Sequence, residues 1–150
     1  MTVRPRQPDV TPAKPFQLPW VPGVTPNFTQ HFNVRWIAGG PPWSGIEQPD
    51  IVVELGMRDN GSTTESHVLA MADFIPPIAL SYLKAPVPAA SLTWMLELLA
   101  EDVSSLPLEG WRIDGQMTAA HSGYVNQSLM LWGPGGVPVA LGRQTMVVFG

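Results

Sequence analysis

The chain contains no cysteine among its 150 residues. That excludes disulfides, thiolate metal sites and a cysteine nucleophile. Charge is scarce too. Only 13% of residues are Asp, Glu, Lys or Arg, about half the usual share. The eight Lys and Arg are scattered from Arg4 to Arg143, and the net charge is −4. No basic stripe is available for nucleic acid. No apolar run approaches the ~18 residues of a membrane span, and residues 1–26 hold no apolar stretch resembling a signal peptide. A cytoplasmic location is the expectation. His31, His67 and His121 fall in three different stretches with no HxH or HxxxH spacing, so no zinc ligand set is formed. A GxSxG elbow is missing. Gly115, Gly123, Gly133, Gly135 and Gly136 make neither GxGxxG nor a Walker loop.

Apolar residues, by contrast, are plentiful at 45%. A single domain of this length buries roughly 68–70% of its unfolded surface, enough for a core without staples. With so little charge left for the outside, some apolar surface is expected to meet a partner or ligand. Proline is concentrated at the start, with seven of 17 in residues 1–26. That spacing disfavours helix and sheet interior. Residues 1–26 therefore read as a linker or a strap on the domain, anchored by Phe16 and Trp20.

Residues 28–38 and 50–58 are rich in β-branched and aromatic residues and read as strands. The period then changes. Ser62 and Glu65 fit a capping box, and Val68, Leu69, Ala72, Ile75 and Ala79 recur at helical spacing over 63–83. Pro76-Pro77 should bend or split this helix. Four further stretches read as strands: 89–100, with Leu92, Trp94, Leu96 and Leu98 on one face, then 111–122, 124–132 and 137–149. The pattern is α+β, an antiparallel sheet with a helix on one face.

Polar residues inside apolar elements are informative in such a chain. Asp73 sits in LAMADFIPPIAL, either capping the turn before the prolines or lining a site. Gln144 lies in phase with Ala140, Met146 and Val148, and a buried amide needs partners. Ser91 opens a strand among alanines. His121, beside Ser122 and Gly123 at a strand end, is a pocket candidate. Phe74, next to Asp73, is grouped with these three as a substrate contact.

The stretches LAMADFIPPIALSYL, AASLTWMLELL and GWRIDGQMTAAHSGYVNQSLMLWGPGGVPVALGRQTMVV together resemble the acyl-CoA thioesterase II family. The likeness is to the C-terminal of its two hotdog repeats and covers about residues 27–149. The family's "A-D-x-x-x-P" is matched by Ala72-Asp73 to Pro76, with one residue fewer. Its Thr or Ser before an apolar pair is matched by Ser91-Leu92, and its "A-x-x-x-Q" by Ala140 to Gln144. Ser122 and Asn126 stand where the family often has Arg.

The resemblance implies a hotdog fold over 27–150, an antiparallel sheet wrapped around one long, Pro-kinked helix. It implies a hydrolase of acyl thioesters in fatty acid metabolism. Asp73, Ser91 and Gln144 would orient a water against the thioester carbonyl, which backbone N–H groups at a helix turn would activate. No cofactor is implied beyond the coenzyme A carried by the acyl-CoA substrate. Family members are about twice this length, so the chain is read as a single repeat or as one half of a longer protein. A homodimer or higher homo-oligomer is expected, because the last strand is apolar on both faces. The other reading is a non-catalytic hotdog that binds acyl groups or serves as an assembly half.

Overall fold

The computed structural model describes residues 3–12 and 14–149. Met1 and Gly150, the outer ends of the two expected segments, lie outside the described residues. Seven strands form one antiparallel sheet: β1 (Phe16–Gln17), β2 (Phe32–Ala38), β3 (Asp50–Met57), β4 (Ala89–Leu98), β5 (Trp111–His121), β6 (Tyr124–Gly133) and β7 (Val137–Val148). Their spatial order is β1-β2-β3-β5-β6-β7-β4. So β5, β6 and β7 form a meander, while β4 crosses to the far edge beside β7. One helix, α1 (Glu65–Ala72), lies against β6 and β7 on the inner face. The core fills the space between, from Trp36, Val53, Trp111, Ile113 and Leu131 on the sheet to Val68, Met71 and Ile75 on the helix side.

The helix is much shorter than 63–83. It begins at Thr64, whose hydroxyl accepts from His67 N–H while His67 Nδ1 accepts from Thr64 N–H. The capping box is thus Thr64 and His67, not Ser62 and Glu65. Thr63 is buried and donates its hydroxyl to the Leu106 carbonyl, which ties the chain down just before the helix turns. The helix stops at Asp73 because Pro76 and Pro77 have no N–H and disfavour helical geometry in the residues before them. After the prolines, Ile78–Tyr82 makes a single 3₁₀ turn.

The start of the first long strand also moves, from Phe28 to Phe32, because Asn27–His31 is a 3₁₀ turn. Residues 16–17 form a two-residue strand on the edge of β2, flanked by Pro15 and Pro19. Its anchor is Leu18, which packs on the core and donates its N–H to Val34. Phe16 and Trp20 are exposed, so they do not anchor the segment. Deleting residues 1–14 keeps this strand and Leu18. The melting temperature should stay within about 2 °C of the full chain, since surface changes outside such contacts cost little. A larger drop in a thermal scan would show that the prolines before Phe16 brace the sheet.

Candidate functional site

Asp73 is the C-cap of α1, and its backbone N–H bonds back to Leu69 and Met71. That leaves its side chain to leave the helix end, where it accepts a hydrogen bond at Oδ1 from Gln144 Nε2, 2.9 Å away. Gln144 comes from β7, on the inner face, and is 2% exposed. Burial raises the Asp73 pKa above the ordinary carboxylate value, and the Gln144 amide partly opposes that rise. The Asp73 residue itself remains exposed. Asp73 therefore holds the C-cap position through its backbone alone, while its carboxylate meets a buried amide.

Close backbone approach sets this geometry. Gly115 in β5 has no side chain where a Cβ would come within 3.0 Å of Ile51 and 3.1 Å of Ile75. Ile75 can therefore press onto the sheet and hold the post-helical turn over β6.

Ser91 reaches the same face by an irregularity. β4 pairs with β7 through Ser91 and Met146, then through Thr93 and Thr145, with a bulge between. Leu92 is the extra residue and is 52% exposed. The bulge rephases the strand, so Ser91 joins the face of Trp94, Leu96 and Leu98, and Leu92 leaves it. Trp94 lies opposite Gln144. Ser91 is two residues from Gln144 along the ladder, about 7 Å. Among the described residues no hydrogen bond joins Ser91 to Asp73 or Gln144.

The expected substrate contacts separate. Phe74 is 4% exposed and packs edge-on against Phe28 and tilted against Phe32. It is a core residue, because the chain turns it inward directly after the helix ends. His121, Ser122 and Gly123 form the tip of the β5–β6 hairpin. Ser122 and Gly123 have φ of 50° and 79°, as a two-residue type I′ turn requires. A Cβ on Gly123 would lie 2.9 Å from the Val148 carbonyl oxygen. The nearest tip residue, Gly123, is four residues from Gln127 along β6, roughly 13 Å, and the tip lies nearer the Ser91 end of the sheet than Asp73. The helix dipole also points the other way from the expectation. Its positive end is at Glu65, so the turn at Asp73 presents carbonyls, not free N–H groups.

One residue belongs here that the sequence reading passed over. Gln127 of β6 is 1% exposed and faces Gln144 across the ladder. Its Nε2 donates to Gln144 Oε1 at 3.2 Å, and its Oε1 accepts from Ile78 N–H at 2.9 Å. The signal was available. Val125, Gln127, Leu129 and Leu131 alternate inward, so Gln127 interrupts an apolar face just as Gln144 does. No cluster of three or more metal-ligating side chains occurs among the described residues.

A sequence model of the acyl-CoA thioesterase C-terminal domain matches residues 6–148. The chain belongs to that family. The match begins within the Pro-rich segment. Among solved structures the chain is similar to a hot dog fold protein of unknown function from Alicyclobacillus acidocaldarius, at 20% identity and TM-score 0.83, covering 100% of this chain and 57% of that one. It is similar to a Thermobifida fusca protein assigned provisionally to thioesterase II, at 21% identity and TM-score 0.65, covering 99% and 57%. It is similar to a hypothetical thioesterase of Streptococcus pneumoniae solved with coenzyme A, at 15% identity and TM-score 0.56, covering 79% and 87%. These likenesses show a hotdog fold. The chain thus spans little more than half the length of the first two. No protein of curated function matches it. No helix among the described residues is long and apolar enough to cross a membrane.

Proposed function

We propose that the domain hydrolyses acyl thioesters, with acyl-CoA as substrate, by a water held between Asp73, Gln144 and Ser91. The observation that carries this reading is the bond from Gln144 Nε2 to Asp73 Oδ1. It joins the helix end to the last strand through two polar groups that an apolar core has no need of. A carboxylate that keeps one oxygen on a fixed amide can take a proton from water at the other. An amide nitrogen carries two hydrogens. One goes to Asp73, and the second has no acceptor among the described residues. In this reading that second hydrogen holds the water or the thioester oxygen, the task expected of backbone N–H groups at the helix turn. Ser91 offers a hydroxyl on the same face that has no partner among the described residues. No covalent intermediate is needed, which suits a chain without cysteine. The solved relative with coenzyme A supports the choice of acyl carrier.

Assembly is part of this reading. The sheet ends at β4, whose outer edge pairs with no strand among the described residues. A second hotdog unit, another copy or the other half of a longer protein, would cover that edge and enclose Asp73. A location in the cytoplasm fits the substrate.

The test is thiol release from acyl-CoA esters of graded chain length. Gln144→Ala should lower turnover about 10-fold, less than the loss of a proton acceptor, because the amide positions and transfers nothing. A well-folded sample that releases no thiol from any ester would favour the non-catalytic, acyl-binding reading.

A further inference from the structure

The geometry points to Gln127 as a positioning residue that fixes which way the Gln144 amide faces and thereby which Asp73 oxygen handles the proton. It rests on the reading of Asp73 as proton acceptor, but the relay itself can be measured without turnover.

The argument starts at a group whose polarity is not in question. A backbone N–H can only donate. The Ile78 N–H points at Gln127, so the oxygen of that amide must face Ile78. Its nitrogen then faces the other way, toward the Pro76 carbonyl at 3.4 Å and toward Gln144 at 3.2 Å. Both hydrogens of that nitrogen have acceptors. Gln144 must therefore turn its oxygen to Gln127 and its nitrogen to Asp73. Each amide in turn has only one orientation that satisfies its neighbours. A flip of either would set two oxygens or two N–H groups against each other in a buried site, where unpaired polar groups are costly.

The origin of the relay is the helix break. The two prolines break the helix, and Leu80 N–H bonds to the Pro77 carbonyl, so the carbonyl of Pro76 and the N–H of Ile78 are both left outside any helix ladder. Gln127 satisfies both across the gap. The same residue that repairs the break passes its polarity to the site. The consequence lies at Asp73. Oδ1 always receives an N–H, so a proton accepted by Asp73 must go to Oδ2.

The relay predicts how the groups respond together. Gln144 donates to Asp73 and favours the charged carboxylate, while burial opposes it, and no charged side chain contributes to the shift. Gln127→Met keeps side-chain length but removes both the donor and the acceptor. Gln144 can then turn its oxygen toward Asp73, so the Asp73 titration midpoint should move upward. The experiment is carboxyl-carbon NMR of labelled Asp73 in four chains: the parent, Gln127→Met, Gln144→Met and the double variant. In the Gln144→Met background, Gln127→Met should have no further effect, because Gln127 acts only through Gln144. Thiol release should show kcat reduced about 10-fold in Gln127→Met with KM little changed.

An unmoved midpoint in Gln127→Met would overturn the relay. So would an equal shift with and without Gln144, which would mean that Gln127 acts by packing. Should Gln127→Met fail to fold, the parent chain still decides. Both side-chain amide signals, those of Gln144 and Gln127, should shift with the Asp73 midpoint as pH is varied. A Gln127 signal indifferent to that titration overturns the relay. If the midpoints behave as expected and no ester is hydrolysed, the relay stands and the hydrolase reading falls.

Discussion

Asp73→Asn is expected to reduce thioester hydrolysis by ~10²-fold or more while the chain stays folded. The substitution is nearly isosteric. An Asn oxygen can still accept the Gln144 N–H, so the 2.9 Å contact survives, but the side chain can no longer take a proton. Stability should not suffer. Burial raises the Asp73 pKa, so between its unfolded and folded pKa values the native state binds more proton than the unfolded state. The contribution of this group is fully present below the unfolded pKa and is lost as pH rises through the folded pKa. At neutral pH the charged form is the disfavoured one in the fold, and Asn removes that charge. A thermal scan at neutral pH should therefore give a melting temperature equal to or above that of the parent. The acid limb of the parent's kcat profile should fall at a pH above the ordinary carboxylate value. Asp73→Asn should lack this limb in its residual activity. Parent-like turnover in a folded Asp73→Asn sample would end the assignment.

The second large effect concerns association. The purified chain should scatter light as a species of at least twice 16.3 kDa, and Leu92→Lys with Met95→Lys should return it to the mass of one chain. The physical case is in β4. Every residue of the strand except Leu96 is exposed, including Leu92 at 52%, Trp94 at 40%, Met95 at 53% and Leu98 at 48%. An exposed apolar edge strand is a template for another chain, and a self-complementary contact closes as a C₂ pair. Both substituted side chains are more than half in solvent already, so two lysines cost the single chain little and block edge pairing. Circular dichroism would confirm that fold is kept. A dilution-resistant monomer in the parent chain would refute the interface. Open-ended aggregation would indicate that β4 is built for a different half and not for a copy of itself.

Much of this molecule is legible from its residues because strand and core patterning are local. The boundaries of β3 through β7 follow from alternating apolar residues and Gly-containing turns, as at Ser122-Gly123. Pro76-Pro77 announces a broken helix, since a missing N–H acts wherever the chain goes. Asp73 and Gln144 stand out because a polar group amid apolar neighbours must find a partner. Gln127 carries the same signal and was readable by the same argument.

An α+β chain without cysteine chemistry, and its polar intruders in apolar elements, follow from the residues alone, and the hotdog fold was implied by the family resemblance. Tertiary structure alone decided which intruders meet. The bulge at Leu92 changes the phase of β4 by one residue. Because side chains alternate with a period of two, that single residue moves Ser91 to the face of Gln144. Phe74 and Asp73 are adjacent in sequence but diverge where the helix ends, one into an aromatic cluster and the other toward β7. The helix start shifts to Thr64 because Thr63 is held by the Leu106 carbonyl, 43 residues along the chain, just before the Thr64–His67 capping box begins. Even the direction of an amide is a tertiary fact. Only the contact between Ile78 and Gln127, 49 residues apart, determines which atom of Gln144 faces Asp73.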